Sequence, residues 1–358
     1  MTKKLLALLA LALLAGCAVA QTPVATTAGE AGATPVPTPE QPDSYQKASV
    51  ITSLLGAVDV WWDPDGKIIC QSCILHDGTR VAWGKIDPLT GYFDALSPED
   101  FQIPSQISQS AIFKNDDILL YSLSPSKEKM ILFFEGKPQR KLSLAVYSLS
   151  EGSLKDIPLS LDFCRPEGVA SFQNWSSDGR YVLASCWMVN TEETLTWFIV
   201  DTDGGAIFDL REAIGTNDGV TAAISSDGKR VAVVDYGNSI YLLTLKDLFP
   251  VGEAKKEEPQ RVQIDTVWVG QMAWSKDDQF IYFDSHRIGE ILLCRVNVYT
   301  ANVETIFDRS KIQTDDNHIL PTFLGSWQLS PDNRFILLNH YTLAGDNTLW
   351  LFDLGSER

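Results

Sequence analysis

Few residues of this 358-residue chain are of the types that do chemistry, and they are sparsely placed. Histidines stand only at 76, 286, 318 and 340, and no two have the spacing of metal ligands on one helix or ribbon. Asp315-Asp316 with His318 is the best collection of ligand types, and it reads as a solvated acidic loop, so no metal site is expected. Cys70-x-x-Cys73 has no second pair to complete a zinc site and sits at a strand end, which suits a local disulfide or two thiols. No Gly-x-Ser-x-Gly elbow, His-Glu-x-x-His pair, phosphate-binding loop or Gly-x-Gly-x-x-Gly turn occurs. No catalytic residue and no cofactor is therefore assigned. The excess of 46 acidic over 29 basic residues, net −17, argues against nucleic acid as a partner, since a phosphate backbone needs clustered Lys and Arg.

The elements that position any site begin after an address segment. Lys3 and Lys4 precede the apolar run Leu5–Leu14, too short to span a bilayer alone. Leu14-Ala15-Gly16-Cys17 follows and resembles the bacterial lipoprotein signal. That resemblance implies lipidation of Cys17, cleavage on its N-terminal side, and a membrane anchor at the cell envelope. Each buried CH2 of such chains contributes about 0.8 kcal/mol. The alternative is an ordinary secretory signal cut near Ala18 or Ala20, with Cys17 incidental. Residues 17–47 are Ala, Thr, Pro and Gly with a few acids and almost nothing to bury, the composition of an extended tether. The organisation is thus 1–16 signal, 17–47 lipidated cysteine and tether, and 48–358 folded body.

The body repeats. Six segments align: Trp62-Asp-Pro-Asp65-Gly66, Leu123-Ser-Pro-Ser126-Lys127, Trp175-Ser-Ser-Asp178-Gly179, Ile224-Ser-Ser-Asp227-Gly228, Trp274-Ser-Lys-Asp277-Asp278 and Leu329-Ser-Pro-Asp332-Asn333. Their fourth positions are 61, 52, 49, 50 and 55 residues apart, and four residues beyond each lies Ile69, Met130, Val182, Val231, Ile281 or Ile336. A fixed period with a fixed apolar offset marks a repeat architecture. Asp-Gly corners join antiparallel strands tightly, because Gly, Asn and Asp tolerate positive φ and a carboxylate takes turn N–H groups. The large apolar residue before each corner is expected to point inward. A β-branched second strand, an alternating third strand (195–200, 239–244, 290–296, 347–352) and a fourth after a polar turn complete each unit. Four strands per period make a propeller blade.

These units resemble the WD-like repeats of TolB-type six-bladed β-propellers over residues 48–358. The resemblance implies an all-β ring of four-stranded antiparallel blades and carries no catalytic residue, because the repeated residues are structural. Unit two departs most, with Ser126-Lys127 for Asp-Gly, which puts its corner in doubt. The last unit ends after three strands, so Ser49–Leu54 is expected to supply the fourth and clasp the ring. A seventh blade would have to hide in 96–115, where Pro98 and Pro104 interrupt a poorly alternating stretch.

In this architecture the connections between second and third strands emerge at the same face as those between blades. Cys164 and Cys186 both lie there, in the third blade, and either bridge or stand as two thiols; Cys294, mid-strand, reads as a core thiol. The same loops carry Trp187, Met188, Tyr236, His286, Arg287, His340 and Tyr341, an aromatic and polar mixture suited to a ligand face. The preferred reading is a lipid-anchored, monomeric, non-catalytic binding or scaffold module for a protein, peptide or glycan. The alternative is a propeller enzyme of lyase, lactonase or dehydrogenase type using the central channel. With the chain ending at Arg358, no attached peptidase domain is expected.

Overall fold

The structure is a computed structural model describing residues 49–354, apart from 51–53, 57–58, 64, 76, 97–116, 137–140, 159–163, 189–194, 236–238, 250–257, 265, 267, 288–289, 309–326 and 342–346. The compact unit runs from Tyr45 to Arg358. The expected signal, Cys17, the tether and nearly all of the seventh-blade stretch lie outside the described residues.

Six antiparallel sheets follow one another along the chain as the blades of a propeller, each running from an inner to an outer strand. Blade 3 shows the plan: Cys164–Trp175, Tyr181–Met188, Leu195–Asp201 and Ala206–Asp209 pair in chain order. Second strands are buried on both faces because neighbouring blades cover both. Apolar layers accordingly lie between successive blades. Ile131, Phe133 and Leu144 of blade 2 pack on Val182, Ala184 and Phe198 of blade 3. Equivalent layers join blades 3 and 4, 4 and 5, and 5 and 6. The six apolar residues four beyond each corner, Ile69 to Ile336, are all buried.

The corners explain the period. In blade 3 the Ser176 hydroxyl donates to Asp178 (2.6 Å), Asp178 accepts from the Arg180 N–H (3.0 Å), and Ser176 Oγ accepts from the Tyr181 N–H (2.8 Å). The same three bonds recur around Ser225/Asp227, Ser275/Asp277 and Ser330/Asp332. The fifth position has positive φ in every unit: Gly66, Lys127, Gly179, Gly228, Asp278 and Asn333. Unit two therefore makes the same corner despite Lys127, and the doubt raised by its sequence is resolved. Its serine is a weaker substitute for the acid, since Ser126 Oγ meets Ser124 Oγ and the Glu128 N–H only at 3.3 and 3.4 Å.

Two expectations are corrected. Leu123, expected to point inward, is 39% exposed. The stretch Ser49–Leu54 is not one strand: Ser49 and Val50 pair with Leu351 and Trp350 of blade 6, whereas Leu54–Gly56 pair with the second strand of blade 1. Alongside that short ladder, blade 6 meets blade 1 at Gln328, which donates to the Val60 carbonyl and accepts from Trp62, in a Trp62–Phe335 stack, and in a shared layer holding Cys70, Cys73, Phe335 and Leu351. The all-β reading holds, with two short helices, Leu210–Ile214 and Leu245–Leu248, inserted between strands. The first was legible: Asp209 caps it, Glu212 sits in its first turn, and Gly215 ends it in the left-handed region.

Candidate functional site

The acids of units three to six, Asp178, Asp227, Asp277 and Asp332, are engaged by their own corners. Burial pushes the Asp227 carboxyl up, but the Ser225 hydroxyl and the Lys229 N–H and charge outweigh it and hold the group below its ordinary range; Asp332 behaves likewise. Asp278 goes further. Its carboxylate reaches blade 4 and accepts from the N–H groups of Ser226 (2.6 Å) and Asp227 (2.9 Å), locking two corners together. Burial there outweighs those bonds and raises its pKa, with the Asp227 charge acting in the same direction. Among the described residues no three His, Cys, Asp or Glu side chains converge as a metal site; Asp315, Asp316 and His318 lie outside them.

The opposite face, the rim, is built from the ends of second strands and the starts of inner strands. Blade 3 places both there: Cys164, which opens its inner strand, pairs with Met188, which ends its second. Cys164 and Cys186 are bonded as a disulfide, with Cα atoms 5.7 Å apart, and Cys70 and Cys73 as another, 5.9 Å apart. Cys294 is buried outside both. Trp187 is 38% exposed opposite the exposed Leu195, whereas Met188 turns inward beside the Arg211 guanidinium (3.9 Å), itself paired with Asp209.

Blade 5 assembles more. Trp268, 42% exposed, opens its inner strand opposite His286, and the two ring centroids lie 4.2 Å apart with the planes tilted by 49°. Thr266 donates to the Trp268 carbonyl (3.0 Å) and bonds Ser285 Oγ (2.9 Å), which fixes the strand entrance. A bulge follows, and Gly270 sits in it. A Cβ at Gly270 would stand 3.1 Å from His286 Nε2 and 3.2 Å from Asp284 Oδ2. The missing side chain is what lets imidazole and buried carboxylate approach the same point. Next along, Gln271 accepts from the Trp327 N–H (2.8 Å), tying blade 5 to blade 6.

Of the ligand-face residues expected from sequence, Trp187 and His286 lie on this rim with described side chains. Arg287, His340 and Tyr341 end second strands on the same rim, by backbone position. Tyr236 and Cys17 lie outside the described residues. Sequence reasoning missed Trp268, Gly270, Thr266 and Asp284 because it considered only the connections after second strands. Inner strands start on the same face, so an aromatic just before the inner strand was the available signal.

No family model matches this chain, and no curated protein does. Among solved structures, TolB from Acinetobacter baumannii is 16% identical with a TM-score of 0.42, covering 84% of this chain. The chain spans 63% of the length of that protein. An oligogalacturonate lyase in complex with manganese is 12% identical with a TM-score of 0.48, covering 83% of this chain and 76% of its own. The tricorn protease is 10% identical with a TM-score of 0.45, covering 88% of this chain and 36% of its own. At these values the likenesses carry no functional argument. The chain is a six-bladed β-propeller on its own sheet topology, similar in fold to these structures.

Proposed function

We propose that this chain is an exported, lipid-anchored propeller of the cell envelope that binds a protein, peptide or glycan through its rim without transforming it. The observation that carries the reading is the division of labour between the two faces. The conspicuous Ser and Asp side chains of the corners are spent on holding strands and blades together, whereas the rim holds exposed aromatics on supported strand ends. Rigid scaffolds with aromatic side chains at loop bases are suited to recognition. The segment Lys3–Cys17 and the composition of 18–47 support the anchor and tether. No helix among the described residues is long and apolar enough to cross a membrane.

The test has two arms. Radiolabelled palmitate should enter the wild-type chain and fail to enter Cys17→Ser; equal labelling of both removes the anchor. The double variant Trp187→Ala/Trp268→Ala should lose retention of envelope components that the wild type holds, with an unchanged unfolding midpoint. Unchanged retention removes the rim. A second reading, an enzyme of the lyase, lactonase or dehydrogenase type, is favoured by Asp284 and His286 meeting at Gly270. Turnover of a bound ligand that Asp284→Asn abolishes would favour it over binding alone.

A further inference from the structure

Blades 3 and 5 each place a cysteine opposite a threonine on neighbouring strands, with different outcomes. In blade 5 Cys294 pairs with Thr305, and thiol and hydroxyl meet at 3.9 Å. In blade 3 Cys186 pairs with Thr196 in the same antiparallel relation, which sets their Cβ atoms about 4.5–5.5 Å apart. Alternation turns Thr196 to the face of Phe198 and Val200, whose layer holds both Cys164 and Cys186. Here, however, Cys186 is bonded to Cys164. Thr196 is fully buried, and its hydroxyl has no hydrogen-bond partner among the described residues. Buried polar groups are nearly always bonded, so the bridged state carries an orphan that a free Cys186 sulfur would satisfy.

The bridge also spans an irregular stretch of strand. Between the pairs Cys164/Met188 and Val169/Cys186 the inner strand takes five steps and the second strand two. The resulting bulge contains Pro166 and Gly168, residue types that regular ladders disfavour. Cys164 opens the strand at the rim and is 6% exposed, whereas Cys186 is fully buried. The main ladder of the blade, from Val169 to Trp175, lies inward of the bulge.

We propose that Cys164–Cys186 is an exchangeable disulfide, a rim site whose substrates are thiols, with Cys164 the sulfur attacked and Thr196 stabilising the departing Cys186. An external thiolate bonds to Cys164 Sγ, and the Cys164–Cys186 bond breaks with its electron pair leaving on Cys186 Sγ. The Thr196 hydroxyl donates to that sulfur, and a better stabilised thiolate leaves faster. A second external thiolate then displaces Cys164 from the mixed disulfide. The external thiols depart as one disulfide, two electrons pass to the protein, and the two cysteines take up the two protons those thiols released. Cys70–Cys73 is the internal control, since both its cysteines are fully buried in the layer shared by blades 6 and 1.

The experiment equilibrates the full-length chain, folded in detergent, with graded glutathione and dithiothreitol buffers, and locates alkylated cysteines by peptide mass analysis. Cys164 and Cys186 should become alkylated together while Cys70 and Cys73 stay bridged and the chain stays folded. Thr196→Val keeps the side-chain shape and removes the hydroxyl. It should shift the equilibrium about tenfold toward the bridge, about 30 mV, with an unfolding midpoint unchanged or higher. Thr196→Ser should restore the wild-type constant. In Cys186→Ser, Cys164 should capture glutathione as a mixed disulfide; in Cys164→Ser, the buried Cys186 should not. A bridge that resists reduction until the chain unfolds, or opens only in step with Cys70–Cys73, overturns the proposal. An equilibrium constant unchanged in Thr196→Val overturns it too, and capture on Cys186 instead of Cys164 overturns the assigned direction of attack.

Discussion

Consider Asp278→Gly, which gives the fifth corner the glycine that units one, three and four carry. Glycine fits the backbone there, where φ is 56°, and relieves about 1 kcal/mol of left-handed strain. The substitution also deletes both bonds from the carboxylate to the Ser226 and Asp227 N–H groups, the tie between blades 4 and 5. Hydrogen bonds to a charged group contribute about 1.5–3 kcal/mol each, reduced here by the burden of keeping a carboxylate out of water. The balance is a loss of about 1–2 kcal/mol at neutral pH, read as a fall of a few degrees in the unfolding midpoint. The bond donated by the Arg230 guanidinium to the main-chain carbonyl of residue 278 does not use the deleted carboxylate and survives. Denaturant unfolding of wild type, Asp278→Gly and Asp278→Asn across pH adds a second test. Burial raises the Asp278 pKa above its unfolded value of 3.8, so the native chain binds that proton more tightly than the unfolded one. The stability this residue contributes then falls as pH rises from 3.8 through the raised value. The gap between wild type and Asp278→Gly should therefore be widest in acid and level off toward neutrality. A glycine variant as stable as wild type would refute the latch, and a gap that widens with pH would show that hydrogen bonding, not burial, governs the group.

Lys127→Gly is the converse case. With φ at 57° and no comparable inter-blade bond from its side chain among the described residues, it should gain about 1 kcal/mol in denaturant unfolding; a loss would mean that the lysine side chain supports the corner. Breaking the Cys164–Cys186 bridge by Cys186→Ala should cost about 3 kcal/mol, for a loop closed over a sequence separation of 22. Mass analysis of the unreduced wild type should show both bridges intact. Gln328→Ala removes the side-chain bonds to Val60 and Trp62, and should lower stability by about 1–2 kcal/mol with enhanced hydrogen exchange in 59–62 and 327–329.

The ring was legible because its signal recurs: an apolar offset and a positive-φ position in all six units, and a hydroxyl and an acid in five each. Even Lys127 obeys, since flanking strand pairing imposes the corner where local preference is weakest. The Asp278 latch was not legible, because a residue that departs from the repeat looks like decay until the blade beside it is known. Leu123 misled because inward direction at the inner strand depends on what the neighbouring blades cover, which no local pattern states. The rim was half legible. His286 and Trp187 followed from strand order alone, whereas the role of Asp284 depends on an absent side chain at Gly270 one strand away. The placing of Thr196 opposite Cys186 belongs to the register between strands, beyond the reach of periodicity.

One paired measurement tests the central division between a face that holds and a face that recognises: unfolding midpoint and retention of envelope components, taken together for Asp227→Ala and Trp268→Ala. Asp227→Ala should unfold earlier and bind as wild type does, since its carboxylate is spent on the Ser225 hydroxyl and the Lys229 N–H. Trp268→Ala should keep its midpoint and lose its ligand. A folded Asp227→Ala that no longer binds, or a Trp268→Ala chain that binds unimpaired, would contradict the account.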